Sequence, residues 1–267
     1  MAKIVREEGL DKFYTIPEVA QSCIDELTKR YGWNWDLVIE PSAGSGSFYN
    51  LLPHPKLGID IAPESDDIIE LDFFDYDPPA GRILVVGNPP FGRVSSLAVK
   101  FFQKAKFASI IAFIVPRTFR RISIQNRLPL QFHLVHDIDI APNSFTPQLN
   151  VKCCFQIWEK RDELRMHIHL ATTHPDFDFV PLGPVVDGRP TPPIADFALL
   201  AYGGACGRIE KNNLHTLSPK SWHWIKSNID VDVLIQNFMM LDYSVSKNTA
   251  RQNSIGKGEL VQLYSAI

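Results

Sequence analysis

Asn88-Pro89-Pro90-Phe91 closes an apolar run, Ile83-Leu84-Val85-Val86-Gly87. Two consecutive prolines end a strand there, because neither can donate a ladder hydrogen bond. They stiffen the turn and leave the Asn88 carboxamide and the Phe91 ring at the strand's carboxyl edge. Open α/β sheets build their sites at that edge. The four residues suit one task, which is to hold a planar amine by its N–H groups while an aromatic ring covers its face.

A second group of residues precedes this one. Glu40-Pro41-Ser42-Ala43-Gly44-Ser45-Gly46 follows a short apolar run. Its glycines let backbone approach a ligand closely, and it lacks the lysine of a phosphate-binding P-loop. Asp60 ends the next apolar run and could accept hydrogen bonds from both ribose hydroxyls. Loop and acid together describe a Rossmann-like nucleoside site, for a dinucleotide or S-adenosylmethionine alike. Asp72-Phe73 has two readings. Either Asp72 caps a turn and Phe73 is core, or Asp72 accepts from an adenine amine and Phe73 lies against the adenine ring.

These residues need a scaffold. Residues 17–31 have the spacing of an amphipathic helix, with Pro17 in its first turn and Val19, Ala20, Cys23, Ile24 and Leu27 on one face. Strands are expected at 36–40, 56–60, 67–72, 82–87 and 109–115. Helices are expected from Phe48 and over 95–106. Residues 131–139 and 151–158 read as two further strands, able to pair antiparallel at one edge. Such alternation predicts an α/β fold with a mostly parallel sheet and helices on both faces. Beyond about residue 160 the prolines crowd, with Pro181, Pro184, Pro190, Pro192 and Pro193 close together. Long regular elements are not expected there, loop character is expected at 203–208, and 219–241 reads as helical. This part is either a small second domain or an elaboration of the first.

Composition sets outer bounds. The 267 residues are 45% hydrophobic and 21% charged, which is globular. No apolar run reaches the ~18–20 residues of a membrane span, and Met1–Glu8 has no signal-peptide core, so an intracellular location without membrane partners is expected. Cys23, Cys153, Cys154 and Cys206 read as buried small apolar residues, and the adjacent Cys153 and Cys154, pointing to opposite faces of a strand, are poorly placed to bond each other. His167, His169 and His174 lack the companion ligands of a metal site, so no metal is expected. Net charge is −3, so nucleic acid would need a local basic patch. Arg117, Arg120, Arg121 and Arg127 form one candidate, and Lys247, Arg251 and Lys257 another. Either could equally be ordinary solvated surface.

The whole string resembles the S-adenosylmethionine-dependent amino-methyltransferases, which methylate exocyclic amines of adenine or cytosine or the side-chain amide of glutamine. Within them it is similar to the adenine-N6 enzymes whose cofactor motif precedes the catalytic motif, over roughly residues 10–160. Phe13-Tyr14-Thr15 resembles the family's N-terminal motif, with Ile16 in the usual proline place and Pro17 after it. The resemblance implies a Rossmann-like class I methyltransferase fold over 1–160 and a recognition or accessory segment over 161–267. It implies S-adenosylmethionine as cofactor. Tyr14 and Thr15 would lie at its methionine end, and Glu40, Ser42, Ala43, Gly44 and Gly46 along the loop, Glu40 facing the methionine amine. Asp60 and Ile61 would meet the ribose, and Asp72 and Phe73 the adenine. Asn88, Pro89, Pro90 and Phe91 would be catalytic, with Asn88 also beside the cofactor and Phe91 stacked on the substrate base.

For a duplex substrate the base must be flipped out. Phe145, in Asn143-Ser144-Phe145-Thr146-Pro147, is then a candidate to stack on the extruded base, or else it plugs its loop onto the core. Arg117, Arg120 and Arg121 would contact phosphates. The reading is an adenine-N6 methyltransferase of nucleic acid, DNA favoured over RNA because Phe113-Ile114-Val115-Pro116 and Arg117-Thr118-Phe119 resemble the DNA enzymes. A partner chain is compatible with it. Protein-glutamine methylation and a catalytically silent binding subunit are the alternatives.

Overall fold

The computed structural model describes residues 13–267, and the stretch read for a leader lies outside them. Two compact units divide the chain, one ending at His167 and the other spanning Ile168–Ile267.

In the first unit β1 (Tyr14–Thr15) leads into α1 (Pro17–Tyr31), which begins on its proline and buries Ala20, Cys23, Ile24 and Leu27. Next come β2 (Leu37–Glu40), β3 (Lys56–Asp60), β4 (Ile69–Glu70), β5 (Ile83–Gly87), α2 (Ser96–Lys104), β6 (Ile110–Pro116) and α3 (Ile122–Gln125). β7 (Phe132–Asp139), β8 (Phe145–Thr146) and β9 (Cys153–Lys160) complete it. Seven strands form one sheet in the order β4-β3-β2-β5-β6-β9-β7. The first five are parallel, and β9 runs antiparallel to both β6 and β7. This is the Rossmann-like α/β architecture with an antiparallel edge that the alternation predicts.

Every residue of β5 and β6 is buried, as strands covered on both faces require. Alternate residues serve two cores. Val85, Ile111, Phe113 and Cys154 pack with α2, whereas Leu84, Val86, Ala112, Ile114 and Cys153 pack with α1. The adjacent cysteines therefore face opposite ways, and none of the four cysteines is in a disulfide.

Three expected elements differ. The helix expected from Phe48 is a single 3₁₀ turn, Tyr49–Leu51, because Pro53 and Pro55 leave no room for a second turn. The strand expected over 67–72 pairs only at Ile69–Glu70, a short charged edge of the kind that blocks further pairing. The segment 219–241 is a strand and then a helix.

The second unit holds β10 (Phe177–Phe179), β11 (Val185–Val186), β12 (Arg189–Pro190), β13 (Phe197–Leu200), β14 (Ile209–Glu210), β15 (Trp222–Ser227), α4 (Val231–Met239) and α5 (Lys257–Tyr264). β15 alternates two buried tryptophans, Trp222 and Trp224, with His223 and Ile225, a period-2 pattern that wins over helix propensity. It is central in the antiparallel sheet β10-β15-β13-β14. α4 starts where Asp230 caps the backbone N–H groups of Asp232 and Val233.

Candidate active site

The chain lays down β2, grows the sheet outward through β3 and β4, then returns to place β5 on the other side of β2. Growth reverses between β2 and β5, and such a reversal leaves a crevice at the strands' carboxyl ends. Glu40 ends β2, Asp60 ends β3 and Asn88 follows β5, so all three meet at that crevice.

Asn88 is half-buried. Its Nδ2 donates to the Phe13 carbonyl oxygen at 3.1 Å. Only an N–H can face a carbonyl oxygen, so this bond fixes which end of the carboxamide is the acceptor. Asn88 Oδ1 is then buried with no partner among the described residues. The Ser42 hydroxyl donates to the Asn88 carbonyl at 3.3 Å, tying the glycine loop to the motif. Pro89 is buried, and the half-buried Phe91 packs against both cores of the sheet. The Phe91 carbonyl accepts from Leu97 N and Ala98 N, anchoring the motif on the start of α2.

Gly44 has φ +52°, and a Cβ there would lie 2.7 Å from the Tyr14 ring. Tyr14 thus packs directly on the loop, and its hydroxyl donates to Glu64. Asp60 accepts from Gly44 N at 2.8 Å and from Ala62 N at 2.9 Å, one bond per oxygen. An ionised carboxylate has about four acceptor sites, so it retains capacity for two hydroxyls. Ile61, beside it, is exposed. Thr15 Oγ1 is a second buried polar atom with no partner among the described residues. Ala43 is buried against Tyr49 and Ile68.

Glu40 is 2% exposed and accepts from Tyr49 N at 2.7 Å. Burial pushes its carboxyl well above the usual range, the Tyr49 and Phe48 backbone bonds oppose this, and Asp60 adds to it. The folded protein therefore holds this proton more tightly than the unfolded chain. Raising pH above the unfolded carboxylate value, about 4.3, then removes stability progressively up to the folded value. Glu40→Gln is expected to melt with the wild type near pH 4 and above it at pH 8. A difference in melting temperature that does not change with pH would place the proton elsewhere.

Other sequence candidates make structural contacts as well. Asp72 accepts from Phe74 N at 2.9 Å as a turn cap, and Phe73 is 1% exposed, its ring stacked between Phe101 and Tyr76. The capping and core reading describes both. Phe145 is 5% exposed in the core beneath α1, because β8 pairs with β1 and turns the ring inward. Arg120 donates to both oxygens of Asp137 and also pairs with Asp139 at 2.8 Å. Arg117 pairs with Asp139 at 2.7 Å. Arg121 is half-buried at the start of α3. Arg117 and Arg120 are thus largely neutralised.

The sequence reading missed the Phe13 carbonyl, whose partner lies 75 residues away. It also missed the loop after the motif, where Val94 and Ser95 have φ +53° and +58°. A β-branched residue in that region is strained, and such strain concentrates at functional segments. No side-chain pattern marks it.

No protein-family model and no curated protein matches the sequence. Solved structures do resemble it. A proposed RNA methyltransferase from Pyrococcus horikoshii is 15% identical, with TM-score 0.44, over 57% of this chain and 87% of that one. A dimethyladenosine transferase from Plasmodium falciparum is 15% identical, with TM-score 0.41, over 55% and 63%. The modification subunit of a proposed type I restriction enzyme from Vibrio vulnificus YJ016 is 14% identical, with TM-score 0.44, over 58% of this chain and 46% of that one.

Proposed function

We propose that this chain transfers a methyl group from S-adenosylmethionine to the N6 amine of adenine in nucleic acid, DNA ahead of RNA. The observation that carries the reading is the buried Asn88 Oδ1, an acceptor held in place through Nδ2 yet left without a donor. Burying an acceptor without a partner costs about 1–3 kcal/mol, which a bound amine N–H offsets.

The crevice suits the cofactor. Thr15 Oγ1 lacks a partner, Asp60 has acceptor capacity for ribose hydroxyls, and Glu40 would receive an ammonium beside an otherwise costly carboxylate. When bound, S-adenosylmethionine supplies an electrophilic methyl on a sulfonium. The protein's share is the nucleophile. An exocyclic aromatic amine delocalises its lone pair into the ring. Asn88 Oδ1 and the Pro89 carbonyl each accept one N–H, which favours the pyramidal nitrogen and aims its lone pair. Phe91 stacks on the base and fixes its plane. As the N–C bond forms, the methyl–sulfur bond would break with its electron pair going to sulfur, leaving the neutral thioether, and the nitrogen would lose one proton to solvent. Positioning and preorganised acceptors supply the rate, with no covalent enzyme intermediate. The second unit, Ile168–Ile267, would supply target recognition.

The test is methyl transfer to duplex DNA, single-stranded DNA and total RNA in parallel, with nucleoside mass spectrometry. N6-methyladenine in one pool supports the reading. Transfer to none, with cofactor bound, moves the substrate to a protein glutamine; absence of cofactor binding favours a silent subunit. Asp60→Ala is expected to weaken cofactor affinity by about 10–100-fold, the value of hydrogen bonds to a charged group. Unchanged affinity by calorimetry would remove Asp60 from the ribose site.

A further inference from the structure

Arg117 and Arg120, two of the four arginines that looked like a phosphate-binding patch, are paired with Asp137 and Asp139. Uncompensated basic surface lies elsewhere. A groove of about 900 Å³ is lined by Lys100, Lys104, Lys106 and Lys160 together with Phe74 and Phe107, and no carboxylate lines it. This is a concentration of positive charge in a chain whose net charge is −3. Lys100, Lys106 and Lys160 are exposed. Lys104 Nζ donates to the Phe74 carbonyl at 2.7 Å and Lys160 Nζ to the Lys106 carbonyl at 3.2 Å. Those two bonds leave both charges unneutralised and hold the ammonium groups at the walls. Phe74 is 36% exposed, with its buried side against Phe101 in an edge contact at 5.1 Å.

The fold sets the groove's position. Lys104 ends α2, Lys106 precedes β6 and Lys160 ends β9, where Lys160 N bonds to Ser109 O. That is the edge at which the parallel strands begin, opposite to the edge bearing Asn88. β5, five residues long, separates the two levels, about 17 Å at 3.3 Å per residue. Several nucleotides of an extended strand reach that far. Lysines spaced along a groove with an exposed ring between them combine backbone attraction with a stacking platform, which is the arrangement that holds unpaired strands.

We infer that this groove binds an unpaired nucleic-acid strand, its phosphates on Lys100, Lys104, Lys106 and Lys160 and a base on Phe74. The inference rests on the nucleic-acid reading of the site and extends it to a second contact. It also gives the small second unit less to do, because part of the affinity then comes from the first.

The experiment measures binding of fluorescein-labelled single-stranded DNA, single-stranded RNA and duplex DNA across a salt series, for the full chain. Lys100→Glu with Lys106→Glu is expected to weaken single-strand binding at least tenfold. It should also flatten the salt slope by about 1.4, since each phosphate contact on a single strand contributes about 0.7. Phe74→Ala should weaken binding several-fold without changing the slope. Both lysines are exposed, and cofactor affinity of each variant confirms an intact first unit. The arm that shows the effect distinguishes DNA from RNA. Wild-type affinity and slope in the reversal variant, alongside normal methyl transfer, would overturn the groove while leaving the catalytic reading intact. Failure of the wild type to bind or methylate any nucleic acid would overturn both. Duplex binding that responds to the lysines equally would replace the unpaired strand with a general polyanion contact and overturn the stacking role.

Discussion

Asn88→Ala is expected to lower the methyl-transfer rate by about 10²–10³ while cofactor affinity changes little, by analogy with removal of one preorganised oxyanion-hole donor. The side chain does two things. Nδ2 anchors to the Phe13 carbonyl, and Oδ1 stands free to accept an amine N–H. Alanine removes the acceptor and with it the polarisation of the nucleophilic nitrogen. That interaction strengthens as the nitrogen becomes pyramidal, so the loss should fall on kcat more than on KM. Stability should fall modestly, because the Phe13 carbonyl loses its donor, yet the orphaned Oδ1 disappears as well. Single-turnover transfer with saturating cofactor reads the chemical step. Full activity there would remove Asn88 from the reaction. A loss that tracks cofactor affinity alone would make it a cofactor contact instead.

The residues that led to this site could be found in the sequence because each sits at the end of an apolar run. Ile83–Gly87 and Ile110–Pro116 are so uniformly apolar that only strands buried on both faces fit them. Given those strands, the order of acid, glycine loop, acid and Asn-Pro-Pro-Phe fixes the edge on which they gather. What stayed hidden depends on distant register. Asp137 and Asp139 reach Arg120 because β7 carries an irregularity between Leu134 and His136. One extra residue inverts which side chains face each core, so Asp137 and Asp139 lie on the side of Gln156 and Cys154. Nothing local in the sequence announces that shift, and the arginines therefore looked unpaired. The lysine groove was hidden for a related reason, since its members come from a helix, a connecting turn and the far end of β9. Trp222–Ser227 misled in the opposite way. Its apolar residues suit either period over a short window, and pairing with β13 and β10 decides for the strand.

Gly87→Ala is expected to reduce transfer by at least tenfold and to destabilise the first unit by about 1–3 kcal/mol, the cost of holding a side chain in a glycine-only region. Gly87 ends β5 at φ +149° and immediately precedes Asn88. A Cβ there would stand 3.1 Å from Glu40 Cγ and 3.4 Å from Glu40 Oε1. Relaxing either the angle or the contact moves a residue that the site needs. If the backbone turns, Asn88 leaves its bond to Phe13. If Glu40 yields, it must leave Tyr49 N from a fully buried position. Strain and function can be separated with Gly188, which has φ +73° and no atom within 4 Å of an added Cβ. Gly188→Ala should carry strain alone and leave transfer unchanged. Denaturant unfolding and transfer per folded molecule, measured on both variants, decide the matter. Equal activities at comparable destabilisation would show that the close packing of Gly87 on Glu40 serves the fold and not the amine site.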